Sequence, residues 1–277
     1  LRIYISADGE GISGVVHTSE MHESGRHYAE FRKLMTQDVN AAIEGAFAAG
    51  ATEVVVNDSH WSMMNLIYSE LDPRADVIRG GNKNLSMVEQ IEQFDGAFLV
   101  GYHAKVGHSD GVANETMLGF EMYEMRMNGV PIGEMELNAA IAGFYGVPII
   151  MVSGDDQLAR EAKAFFGNVQ TAIVKYAIDR WSARCLSLAR SHQVIKDSAF
   201  QAVKRLEQFN PYIIKGPVEL EIEWTSTSAC KKSALVPGSY RKNPRTIAYR
   251  GDTILEAWRG IYTCLNLGEL ASDPIYG

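Results

Sequence analysis

The first half of the chain alternates short apolar runs with longer stretches of helical period. Leu1–Ala7 reads as a buried strand, and Glu53–Val56, Ala97–Val100 and Val147–Val152 repeat its near-continuous apolar pattern, with a short strand at Asp76–Ile78. Tyr28, Phe31, Met35, Val39, Ala42 and Ala46 recur at 3/4 spacing, which predicts an amphipathic helix from about Tyr28 to Ala49 that stops at Gly50. Ser86–Gln93, with Ser86 as its cap, and Glu134–Tyr145 are predicted helices as well. Strands with no polar face, alternating with helices, predict an α/β fold: a mostly parallel sheet with helices on both faces.

Beyond Gly154 the pattern loosens. Helices are predicted near Gln157–Phe166, Ala189–Gln208 and Thr253–Leu267, and strands near Val169–Val174, Val218–Trp224 and Thr246–Tyr249. Asn210-Pro211 is the clearest loop signal. The expected organisation is a metal-binding α/β domain over residues 1–160 and a smaller α+β lobe over 161–277.

Composition narrows the function classes. With 277 residues the chain can bury one large core or two modest ones, and its net charge of −8 opposes a phosphate-neutralising surface, so a nucleic-acid partner is set aside. No apolar run approaches the roughly 18 residues of a membrane span, and the apolar start is broken early by Asp8 and Glu10, too short for a secretory core. Cys185, Cys230 and Cys264 are odd in number and widely spaced, which suits reduced thiols in a cytoplasmic enzyme better than a disulfide framework.

Two motifs tempt and fail. Gly9-Glu10-Gly11-Ile12-Ser13-Gly14 is a literal G-x-G-x-x-G after a strand. Glu10 would face a pyrophosphate, however, and no helical stripe begins until Tyr28. His22 and His27 resemble a metal-binding helix pair with one residue too many; at i,i+5 the rings point about 140° apart, so His17, His22 and His27 read as loop and helix-entry residues.

The chemistry gathers at the strand ends, where open α/β sheets bind ligands. The first strand runs into Asp8 and Glu10, the second into Asn57-Asp58-Ser59-His60, the third into Gly101-Tyr102-His103 and the fourth into Gly154-Asp155-Asp156. Taken singly, each has an ordinary reading: Asp58 as an Asx turn, His103 as a satisfied core imidazole, Glu134 as a first-turn helix acid. Converging from separate strands, Asp8, Glu10, His60 and His103, joined by Glu134 from the start of a helix, form a set of imidazole and carboxylate ligands. That set suits two zinc ions, with manganese or cobalt as alternatives, and hydrolysis as the chemistry.

At these residues the chain resembles the D-aminopeptidase family of zinc-dependent peptidases. The matching stretches are Ile3–Gly14, Thr52–His60, Gly101–Ala104, Gly133–Asn138 and Val147–Asp156, with thinner similarity at Val236–Gly238 and Asp252–Trp258. The resemblance implies a dinuclear zinc site on the same five ligands and a ring-like homo-oligomer, a double pentamer. It also implies short peptide substrates with an N-terminal D-residue, such as D-Ala-D-Ala. In Asn114-Glu115-Thr116-Met117 this chain departs from the family pattern, placing Glu115 where a catalytic histidine is expected, with a loop at Lys105–Asp110 one residue longer. Glu115 is therefore the expected general base and acid, and His108 in that loop reads as a solvated side chain.

The expected function is a metal-dependent exopeptidase. The alternatives are an amidase or peptidase of the same scaffold with another substrate, and a non-catalytic metal or peptide binder suggested by the missing histidine. A phosphoesterase is a weaker rival, because no basic cluster accompanies the carboxylates.

Overall fold

The computed structural model describes residues 1–271. Within them the chain forms two compact units: residues 1–104, 108–114 and 145–212 make the first, and residues 105–107, 115–144 and 213 onward the second.

The first unit is built on a seven-stranded sheet. Its strands are β1 (Arg2–Ala7), β2 (Glu53–Asp58), β3 (Asp76–Ile78), β4 (Gly96–Val100), β7 (Ile149–Asp155), β8 (Gln170–Asp179) and β9 (Ser182–Cys185), in the order β3-β2-β1-β4-β7-β8-β9. All pairings are parallel except that of β9, an antiparallel edge strand. The chain moves outward from β1 to β3 and then returns to place β4 on the other side of β1. That reversal creates a topological switch point between β1 and β4, where the diverging connections leave a crevice beyond the carboxyl ends.

Helix α2 (Tyr28–Ala48) follows its apolar stripe, burying Phe31, Met35, Val39, Ala42 and Ala46 against the sheet, and ends before Gly50, whose φ of +107° is the left-handed conformation glycine supplies at a helix terminus. It packs on α5 (Leu188–Lys204), and Gly45 makes that approach possible: a Cβ there would lie 2.3 Å from the Lys196 carbonyl oxygen. Helix α4 (Asp156–Phe166) starts on Asp155, whose Oδ1 accepts from the Gln157 and Leu158 amides at 3.0 and 2.8 Å.

The second unit carries an antiparallel sheet of β5 (Met122–Met127), β6 (Val130–Ile132), β10 (Val218–Trp224), β11 (Tyr240–Arg241) and β12 (Thr246–Gly251), in the order β11-β12-β10-β5-β6. Helices α3 (Glu134–Phe144), α6 (Thr227–Ser233) and α7 (Ile254–Glu269) accompany it, with Trp224 packed so closely on α7 that a Cβ at Gly268 would lie 2.3 Å from the indole.

The α/β expectation holds, while two expectations change and one hairpin is new. A single cut near residue 160 does not describe the grouping, because β8 pairs with β7 in the parallel sheet and residues 115–144 leave the first unit to build β5, β6 and α3. The helix expected at Ser86–Gln93 is two 3₁₀ turns, Ser86–Val88 and Ile91–Gln93, because Ser86 and Gln90 hold φ of +48° and +65°, incompatible with a continuous right-handed helix. The hairpin of β5 and β6 turns at Asn128-Gly129, both at positive φ, a two-residue turn that the sequence reading passed over.

Gly45→Ala should test the α2–α5 contact. The added methyl has no space, so urea denaturation is expected to show a loss of about 2 kcal/mol, within the range for overpacked interiors.

Candidate metal centre

In the first unit, Asp8, Glu10, His60 and His103 meet beyond the ends of β1, β2 and β4. His60 Nδ1 lies 3.3 Å from Asp8 Oδ1 and 3.2 Å from Glu10 Oε2; His103 Nε2 lies 3.2 Å from Asp8 Oδ2 and 4.0 Å from Glu10 Oε2. All four residues are buried, and one ligand atom each from Asp8, Glu10 and His103 lies within 4.8 Å of the others.

The backbone is shaped to allow this. Gly11 donates its amide to the Gly101 carbonyl at 2.7 Å, and a Cβ on Gly11 would lie 1.9 Å from the Tyr102 carbonyl. A Cβ on Gly9 would lie 2.7 Å from His60 Nδ1. Gly101 holds φ of +75° with the Asp8 carbonyl close beside it. Gly9 and Gly11 of the G-x-G-x-x-G run therefore serve close packing of strand ends rather than a pyrophosphate.

Beneath the ligands runs a buried hydroxyl network. Ser6 Oγ lies 2.7 Å from Tyr102 Oη and 3.0 Å from Ser59 Oγ, and both serines reach the Met87 carbonyl, at 2.7 and 3.1 Å. Each member precedes a metal-ligand candidate by one or two residues, so the network fixes the three strand ends relative to one another. Lys83 adds to it, donating to Asn57 Oδ1 at 2.5 Å and to the Asp58 carbonyl at 2.6 Å. Burial pulls its ammonium down to about 8, against the charges of Asp58 and Glu89.

The electrostatics fit a cation. Burial alone would lower His60, yet the charge of Glu10 and hydrogen bonds to Asp8 and Glu10 hold it well above its ordinary value. Burial alone would raise Glu10, and His60 together with His103 holds it well below the carboxylate range. The imidazoles thus supply the positive charge that the buried carboxylates demand, a task a divalent ion performs after displacing protons. His60 turns its Nδ1 toward Asp8 and Glu10, which makes Nδ1 the ring nitrogen placed for a metal shared with those carboxylates. His103 Nδ1 lies 3.0 Å from the Ala104 carbonyl; donation there leaves Nε2 as the electron-pair donor. The oxygen and nitrogen set suits zinc.

Glu134 and Glu115 belong to the second unit. Glu134 is the buried first residue of α3, its Oε1 accepts from the Met117 amide at 2.6 Å, and a Glu115 carboxylate oxygen lies within 4.8 Å of one of its own. Glu136 beside it is buried and accepts from the Gly133 amide at 2.8 Å, a helix-start role.

Other singled-out residues have structural work. Asp58 accepts from Asn65 Nδ2 and the Leu66 amide, shaping the loop after His60. Asp155 caps α4 and accepts from Val112, and Asp156 accepts from Ala177. His17 caps α1 (Thr18–Met21), His22 accepts from the Ser24 amide, His27 lies exposed near Glu30, and His108 closes a turn through Asp110 and Gly111. The residues missed by sequence reasoning, Ser6, Ser59, Tyr102 and Lys83, act through hydrogen bonds between segments that no local spacing reveals.

The profile of the D-aminopeptidase family matches residues 1–263. A D-aminopeptidase of Bacillus subtilis (strain 168) is 36% identical over 274 residues, covering 98% of this chain and 99% of the relative. The solved structure of the "Zn-dependent D-aminopeptidase DppA from Bacillus subtilis, a self-compartmentalizing protease" superposes with a TM-score of 0.94 at 35% identity, over 99% of this chain and 100% of that one. The chain belongs to the D-aminopeptidase family, a family of peptide hydrolases.

Gly9→Ala should displace the His60 ring. Competition against a chromophoric chelator is expected to show zinc held about tenfold or more weakly than by the parent protein, the usual scale for disturbing a ligand's support.

Proposed function

We propose that this protein is a zinc-dependent exopeptidase that removes the N-terminal D-residue from short peptides such as D-Ala-D-Ala. The observation that carries the proposal is the buried cluster of Asp8, Glu10, His60 and His103 in a chain of the D-aminopeptidase family. We assign these four residues and Glu134 as the ligands of two zinc ions per subunit, Glu134 resting on its place in the Gly133–Asn138 motif and on its burial.

Zinc held by these residues would supply Lewis acidity, which would polarise a scissile carbonyl and lower the pKa of water toward neutral pH. Glu115 is assigned as the group that takes that proton and passes it to the leaving amine. Water oxygen bonds to the carbonyl carbon, the C–N bond breaks, and the products are a free amino acid and a shortened peptide. A carboxylate can fill this role where the family pattern carries histidine, because proton transfer needs reach and a suitable pKa rather than one residue type.

The solved Bacillus subtilis relative is a self-compartmentalizing protease, which supports a homo-oligomer here, and we propose a ring-like decamer. Among the described residues no helix is long and apolar enough to cross a membrane, and we propose a cytoplasmic enzyme.

Zinc-loaded protein incubated separately with D-Ala-D-Ala and L-Ala-L-Ala, followed by chiral chromatography, should release alanine from the D-peptide alone. Release from the L-peptide at an equal rate would overturn the stereochemical reading. Glu115→Gln should keep its zinc and lose about a hundredfold or more in turnover. Full turnover in that variant would remove Glu115 from the mechanism.

A further inference from the structure

Lys175 lies in the middle of β8 and is 0% exposed, among apolar neighbours on the sheet such as Ala172 and Val174. The reaction scheme makes no use of it. Its ammonium carries three protons, and three backbone carbonyls receive them: Glu10 at 2.6 Å, Ile12 at 3.0 Å and Val15 at 2.5 Å. All three carbonyls belong to the loop that follows β1. Asp38 of α2 grips the same loop, accepting from the Ser13 amide at 2.8 Å.

A buried charge is costly, and an apolar side chain of similar volume would serve a plain core position at least as well. A lysine kept for core cohesion is expected to pair with a carboxylate. Among the described residues the hydrogen bonds of Lys175 go only to carbonyls, although the charges of Asp155, Asp38 and Glu10 act on it from nearby, as does Cys185 on β9. The first of these carbonyls is that of Glu10, whose carboxylate faces His60 and His103.

We propose that Lys175 is a positioning residue for the metal centre: by holding the carbonyls of Glu10, Ile12 and Val15 it fixes the loop that aims the Glu10 carboxylate at the cluster. The proposal rests on the metal reading above. It separates from a merely structural role because the geometry at the metal, rather than global stability alone, must change when the ammonium is removed.

The test is a cobalt(II) titration of the full-length parent protein and of Lys175→Met, read by chelator competition and by the visible d–d absorption of bound cobalt. The variant should melt cooperatively and bind cobalt about tenfold to a hundredfold more weakly, with an altered absorption band. Parent-like affinity and band in Lys175→Met, whatever its melting temperature, would overturn the proposal. A parent protein that takes up no cobalt would overturn the metal reading and this proposal with it, a result distinct from a parent that binds beside an indifferent variant. Should Lys175→Met fail to fold, Lys175→Ala is titrated with and without n-propylamine, which replaces the missing atoms. Cobalt affinity that returns only with the amine supports the proposal, and affinity independent of the amine contradicts it.

Discussion

The burial of two carboxylates and two imidazoles at the carboxyl ends of adjacent parallel strands governs much of this structure. A carboxylate stripped of water is tolerable only with a counter-charge and hydrogen bonds close at hand, so Asp8 and Glu10 require His60 and His103, or a cation, within a few ångströms. Meeting that requirement needs three strands whose ends are held close together. The sheet order places β4 and β2 on either side of β1, glycines 9, 11 and 101 let the backbones close, and the Ser6, Ser59 and Tyr102 hydroxyls lock the ends beneath the ligands. Lys175 and Asp38 then hold the loop that carries Glu10.

How much of this could be read from the sequence follows from the range of the interactions. Buried parallel strands and the α2 stripe write themselves into local periodicity, so β1, β2, β4, α2 and α3 appear at nearly their observed bounds. The convergence of Asp8, Glu10, His60 and His103 was legible because an open α/β sheet orients its strand ends alike, whichever strand lies next to which. Membership of the two units was not legible, since it depends on which strands pair: β8 looks like any apolar run until β7 lies beside it. The 3₁₀ turns at Ser86 and Ile91 were hidden for a related reason. Asn57 donates to the Ser86 carbonyl and the backbone there turns left-handed, a tertiary demand that overrides a helical pattern. The Asn128-Gly129 hairpin, by contrast, carried a local signal that a closer reading of turn residues would have found.

Lys175 illustrates the limit of reading in the other direction. A lone lysine in an apolar strand looks like an edge or surface residue, and only the fold shows it fully buried with three carbonyls around its ammonium. Glu115 lies between these extremes. Its identity departs from the family pattern in plain view, while the consequence of that departure depends on proton transfer that sequence spacing does not describe.

The central claim is that Asp8, Glu10, His60 and His103 hold zinc. Diffraction from zinc-grown crystals, measured on both sides of the zinc absorption edge, addresses it most directly. The account predicts anomalous peaks in contact with these four side chains, with zinc to nitrogen and oxygen distances of about 2.0 to 2.2 Å. Crystals whose anomalous signal lies elsewhere, with His60 and His103 still paired to the carboxylates, would contradict it.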